Sequence, residues 1–121
     1  MVPKERRSFP RVTDGGLSLE VHSGDFDMIT HTLNVSASGV YCKLEREIPL
    51  MSRVRLRLMI PDASSPDGTS RRLEVNGVVV REHPVIIDGV TRHFDAAIFF
   101  EDLSERDREA IKKYVWRKVP K

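Results

Sequence analysis

One cysteine, Cys42, stands in 121 residues, so no disulfide framework can close within the chain, and a reducing compartment suits it. Long apolar runs are missing as well. The longest wholly apolar stretch is Ala96 to Phe100, far short of the roughly 20 residues that a membrane-spanning helix needs. Met1 to Phe9 is polar and basic where a secretory leader would carry an apolar segment. The expected location is the cytoplasm. Aromatic residues make up only 7% of the chain, which leaves little for stacking along a single-stranded nucleic acid. His22, His31, His83 and His93 are scattered without metal-ligand spacing, and no second cysteine joins them, so neither a metal site nor a cofactor is expected. Carboxylates are plentiful, but Asp25, Asp27, Glu101 and Asp102 have no recognisable nucleophile or base partner. Nothing in the sequence demands catalysis, and the chain reads as a non-enzyme.

What is present describes one folded unit over residues 1–121, since 40% hydrophobic and 31% charged residues are ordinary for a globular domain of this size. The net charge of +2 hides an asymmetry. Residues 1–12 hold Lys4, Arg6, Arg7 and Arg11 against Glu5 alone, so the basic front is the anion-seeking part of the chain. With few apolar anchors beyond Val2, Phe9 and Val12, that front is expected to be flexible until a ligand orders it.

A barrel wall is expected over 13–101. Leu17, Leu19 and Val21 alternate with polar neighbours, the period of a half-buried strand. Met28 to Ser36 and Val40 to Leu44 follow as candidate strands, and Val54 to Ile60 alternates with Arg53, Arg55, Arg57 and Met59. Pro61 to Ser70 reads as a surface loop. Leu73 to Val80 is another strand, with Gly77 as a candidate bulge, and Asp88-Gly89 signals a turn before a last strand over Phe94 to Phe100. Ser104 and Asp107 then resemble a capping box that opens a helix over 104–118, with Ile111, Tyr114 and Val115 on its apolar face. About six short strands and one helix suggest a small antiparallel barrel or curled sheet with the helix packed at its end.

Two constellations carry chemistry. Arg7-Ser8-Phe9-Pro10-Arg11, preceded by Arg6, is pushed toward extended geometry by Pro10, which places the two guanidinium-bearing Cα atoms up to roughly 13 Å apart. Guanidinium forks bind phosphate or the O6/N7 edge of guanine and also lie flat on bases. A solvated basic tail would look the same. Asn34-Val35-Ser36-Ala37-Ser38-Gly39 is the second. If it is extended, Asn34 and Ser36 stand side by side outside the sheet while Leu33 and Val35 face the core. Asn and Ser together can match a guanine edge, and Gly39 permits positive φ or close backbone approach. The competing reading is an ordinary turn in which these side chains bond their own backbone.

Taken together, Arg7, Arg11, Asn34, Ser36 and Gly39 match RxxxR followed by [D/N]xSxxG, and the chain resembles the PilZ domain family. Val78-Val79-Val80-Arg81, Phe94 to Phe100 and Leu103-Ser104-Glu105 are similar to that family's closing strands and helix, so the resemblance covers nearly the whole chain. It implies a mainly β fold, a six-stranded antiparallel barrel with a C-terminal helix. It also implies a receptor for cyclic di-GMP held between the N-terminal segment and the barrel. By position, Arg7 and Arg11 would contact guanine edges and phosphates, and Asn34 and Ser36 would read a guanine. Arg6 directly before RxxxR implies two stacked nucleotides, an intercalated dimer. A downstream protein partner is implied without being identified. Alternatives kept are a PilZ-like interaction adaptor that binds no nucleotide and, more remotely, a nucleic-acid-binding barrel using Arg53, Arg55 and Arg57. Those arginines equally suit a solvated or edge strand. Cys42 shares a face with Val40 and Leu44 and is expected to be an inert buried thiol. Trp116 falls off the helix's apolar stripe at ~100° per residue, which makes it either an interface anchor or a frayed aromatic folded back on the barrel.

Overall fold

A computed structural model describes residues 16–24, 26–61 and 70–118. The strands are β1 (Ser18–His22), β2 (Asp27–Ser36), β3 (Gly39–Leu44), β4 (Arg53–Pro61), β5 (Ser70–Ile87) and β6 (Val90–Phe100), and one helix follows, α1 (Glu105–Lys118). All pairings are antiparallel, and β1 pairs with both β2 and β4, so the order β1-β2-β3-β6-β5-β4 closes into a barrel. The alternation seen in the sequence is the reason. Leu19, Val21, Leu56, Leu58, Leu73, Val75, Val40, Cys42 and Ile98 all face inward and are buried. α1 lies against β2 and β4 and seals the core with Ile111, Tyr114 and Val115, as their helical spacing required. The Ser104 hydroxyl accepts the Asp107 amide at 3.1 Å, capping the helix.

Three expectations need correction. Pro61 and Ser70 are not loop but paired strand ends, and the residues between them lie outside the described ones. Gly77 is no bulge: β4 and β5 pair in unbroken register past it, and Leu73, Val75, Gly77 and Val79 all point inward in phase. A Cβ there would come within 2.6 Å of Ile98 Cγ2 and 3.1 Å of Leu56 Cδ1, so the glycine makes room for the core. The bulge sits at Val80, where β5 changes register against β6. Third, β5 runs on to Ile87 and β6 begins at Val90, joined by Asp88 and Gly89 with φ of 53° and 77°, the positive-φ pair of a tight hairpin turn. Beyond Val78, β5 has no β4 partner, which is where a strand tolerates a residue such as Pro84.

Candidate functional site

β2 and β3 meet through the two-residue turn Ala37-Ser38, with Ser36 paired to Gly39. Neither turn residue has a positive φ, so the turn draws its stability from bonds around it. Ser36 Oγ accepts the Ser38 amide at 3.2 Å and lies 2.8 Å from Ser38 Oγ. The Ser38 carbonyl accepts the Phe100 amide at 2.9 Å, and the Ala37 carbonyl accepts Arg108 Nη1 of α1 at 3.2 Å. The hairpin is thus clamped to the last strand and to the helix.

Directly before it, β2 carries a register shift between Thr32 and Asn34. Thr32 faces inward opposite Cys42, and its hydroxyl accepts the Leu17 amide at 2.8 Å. Leu33 is the extra residue, and after it Asn34 lies outward opposite Tyr41 while Val35 is buried opposite Val40. The expected facing of Asn34 and Val35 is therefore correct, but Leu33 is a half-buried bulge residue and not core. Ser36 also differs from expectation. It does not stand open beside Asn34; it is fully buried, its hydroxyl spent on the turn. Gly39 has no positive φ, and its role is close approach, because a Cβ there would collide with the carbonyl oxygen of Ile98. Asn34, Ser36 and Gly39 are brought together as the motif required. Arg6, Arg7 and Arg11 lie outside the described residues, as does the rest of 1–12.

The outer face next to the hairpin holds side chains that sequence spacing did not connect. Pairing runs Asn34 to Tyr41 to Ala97 to Arg81 across β2, β3, β6 and β5, and alongside it Ser36 to Gly39 to Phe99 to Val78. Tyr41 and Phe99 stand diagonally, with the small residues Gly39 and Ala97 between them. Phe99 is 51% exposed. Tyr41 Oη lies 3.4 Å from His83 Nε2; burial first and Asp95 second push its pKa above the ordinary phenol value, Arg81 opposing, so the hydroxyl stays protonated. The signal that could have found this face is the phase of β3 and β6, which the sequence shows, combined with their register, which it does not.

The other wall is different in character. Arg57 bridges Glu20 of β1 at 3.2 Å and Glu74 of β5 at 3.5 Å, Arg55 meets Glu74 at 3.5 Å, and Arg53 meets Glu101 at 3.3 Å. β4 is paired on both sides, so the arginine stripe is neither an edge nor an open polyanion surface. Asp102 accepts the Asn76 amide at 2.9 Å and its Nδ2 at 2.8 Å, which accounts structurally for the carboxylates at the strand-to-helix junction. Cys42 is buried, and its thiol is pushed up to about 12, by desolvation first and Asp95 second. Among the described residues no cluster of His, Cys, Asp and Glu could hold a metal ion, and no helix is long and apolar enough to cross a membrane.

The model of the family described as "PilZ domain" matches residues 5–116. Among solved structures, the Bacillus subtilis inhibitor of motility MotI/DgrA is similar over 94% of this chain and 51% of its own, at 21% identity and a TM-score of 0.78. The PilZ domain of Escherichia coli YcgR, solved with c-di-GMP, is 12% identical with a TM-score of 0.66, covering 94% of this chain and 92% of that one. The K. pneumonia MrkH–c-di-GMP complex is 13% identical with a TM-score of 0.65, over 91% and 51%. This chain therefore spans about half the length of MotI and MrkH. No curated protein matches.

Proposed function

The chain belongs to the PilZ domain family, and from that premise we propose that it is a receptor, and not an enzyme, that binds cyclic di-GMP between its N-terminal arginines and the β2–β3 hairpin. The observation that carries this reading is the bulge at Leu33, which turns Asn34 outward beside a hairpin rigidly clamped by Ser36, Gly39 and Arg108. An amide presented from a fixed strand can meet a guanine edge with little entropy lost on binding. Ser36 and Gly39 then serve the ligand indirectly, by holding the hairpin. Arg7 and Arg11 supply charge-assisted bonds to guanine edges and phosphates, and Arg6 supports two intercalated nucleotides by offsetting their added phosphate charge. YcgR and MrkH, the neighbours whose structures contain c-di-GMP, support the choice of ligand. Binding in this reading orders residues 1–12 over the barrel and creates a new surface for a downstream protein in the cytoplasm.

A second reading has its own support. Ser36 and Gly39 already have structural tasks in the unliganded barrel, and a nucleotide-free adaptor would keep them too. Titration with cyclic di-GMP, with GTP and a short RNA as controls, separates the two. Saturable binding of cyclic di-GMP alone supports the receptor, silence toward all three supports the adaptor, and binding of RNA alone would revive the nucleic-acid reading. On the receptor reading, amides in residues 1–12 exchange more slowly with cyclic di-GMP present. Equal exchange with and without it contradicts the ordering step.

A further inference from the structure

We propose that the groove along α1 docks an acidic segment of a partner protein, one that carries a large apolar side chain among its carboxylates. The groove holds about 1000 Å³ and runs between the helix and the paired ends of β4 and β5 at Ile60, Pro61 and Arg71. It follows the helix from Glu105 to Arg117, a length of about 18 Å at roughly 1.5 Å per residue. This side of α1 has no work in the core. Ile111, Tyr114 and Val115 seal the barrel and are buried, whereas Trp116 is 59% exposed. A large aromatic side chain that the core does not use, set in a concavity with Pro61 and Ala110, is the kind of anchor around which protein interfaces are built.

Charge selects the chemistry of the partner. Five cations, Arg71, Arg106, Lys112, Lys113 and Arg117, line the groove against two carboxylates, Glu105 and Glu109. Asp107 offsets one cation by meeting Arg71 at 3.0 Å, which still leaves positive charge in excess. The excess is uneven along the helix. Both carboxylates lie toward its start, while Lys112 and Lys113 stand one turn before Trp116 and Arg117 directly after it. An apolar anchor flanked by cations calls for carboxylates placed around an apolar residue. Glu105 and Glu109 tell against a nucleic-acid backbone, which needs cations along its whole track, and a flat bilayer surface does not enter a concavity. A second copy of this chain fits poorly too, since two such grooves facing across a two-fold axis would bring like charges together.

The test is selection of displayed random peptides of about 15 residues, long enough to span the groove, on the full chain without nucleotide, followed by titration of the enriched peptides. These should be acidic with a recurring large apolar residue. Trp116→Ala should weaken them about ten- to a hundredfold and Lys113→Glu about tenfold, with unfolding midpoints unchanged in both. Selection repeated on a Lys113→Glu/Arg117→Glu chain should lose the acidic preference. Failure to enrich acidic peptides, or enriched ones that bind both single variants as tightly as the wild type, overturns the proposal. So does a short RNA or a phosphatidylglycerol vesicle that binds the wild type and releases Trp116→Ala, or a dimer in sedimentation that Trp116→Ala dissolves. The groove stands apart from the receptor reading: a chain that binds no cyclic di-GMP leaves it in place, and its failure leaves the receptor standing.

Discussion

At the residue scale, the motif positions in the hairpin separate into Asn34, which faces outward, and Ser36 and Gly39, which hold the fold. Ser36→Ala removes hydrogen bonds inside a buried turn, so it should lower stability by roughly 0.5–1.5 kcal/mol, read from urea midpoints, and affect ligand affinity less than Asn34→Ala does. Gly39→Ala forces a Cβ into the Ile98 carbonyl and should cost about 1–3 kcal/mol or more; an unshifted midpoint would show that the strands can part there freely. Cys42 gives a pH-dependent test. Its folded pKa is raised from 9.0 to about 12, so the stability it contributes is full below pH 9 and is lost as the pH climbs toward 12, up to roughly 4 kcal/mol. Cys42→Ala should flatten that alkaline loss, and a thiol reagent at pH 8 should react with the folded wild type only as fast as the barrel opens. Much of this was legible. The inward phase of Cys42 follows from alternation, whereas the outward facing of Asn34, expected for an extended 34–36 stretch, depends on the bulge at Leu33, which breaks the alternation from Thr32. The burial of Ser36 does not follow from alternation, because it depends on how the turn folds back on its own hydroxyl.

At the element scale, strand positions could be read wherever polar and apolar residues alternate, and the capping box located the start of α1. β5 was read too short for a physical reason: beyond Val80 it has no β4 partner, Val85 to Ile87 pairs with β6 alone, and Arg81 to Ile87 is exposed or half-buried throughout, so burial leaves no period in the sequence there. The misread Gly77 has a related cause, since a missing side chain looks like lost phase when it is in fact a core position filled by Ile98 and Leu56. The grouping of Asn34, Tyr41, Phe99 and Arg81 on one outer face was invisible because they come together only through cross-strand register. The helix cap offers a direct check. Ser104→Ala should destabilise the chain by about 1 kcal/mol, and because Arg108 of the same helix holds the Ala37 carbonyl, amide exchange at the β2–β3 turn should quicken in that variant. Protection at the turn that does not change would mean that the helix and hairpin are not coupled.

At the scale of the whole molecule, one wall of the barrel carries interlocked Arg–Glu pairs and another the exposed Phe99 and Val80, and the receptor reading places its ligand beside the second. A further surface lies on α1. Trp116, 59% exposed, lines an open groove of about 1000 Å³ with Ile60, Pro61, Arg106 and Lys113, away from the β2–β3 hairpin. The geometric expectation that it stands off the core stripe is met, so its fluorescence should be long-wavelength. With Lys112 and Lys113 one helical turn before it, iodide should quench it better than caesium; blue-shifted, protected emission would contradict the exposure. The sharpest test remains calorimetry of cyclic di-GMP against the wild type, Arg7→Ala and Arg11→Ala. Saturable binding is expected in the wild type, weakened about ten- to a hundredfold in each variant, with unfolding midpoints unchanged. No binding by the wild type, or equal affinity in all three, would contradict a receptor built on these arginines.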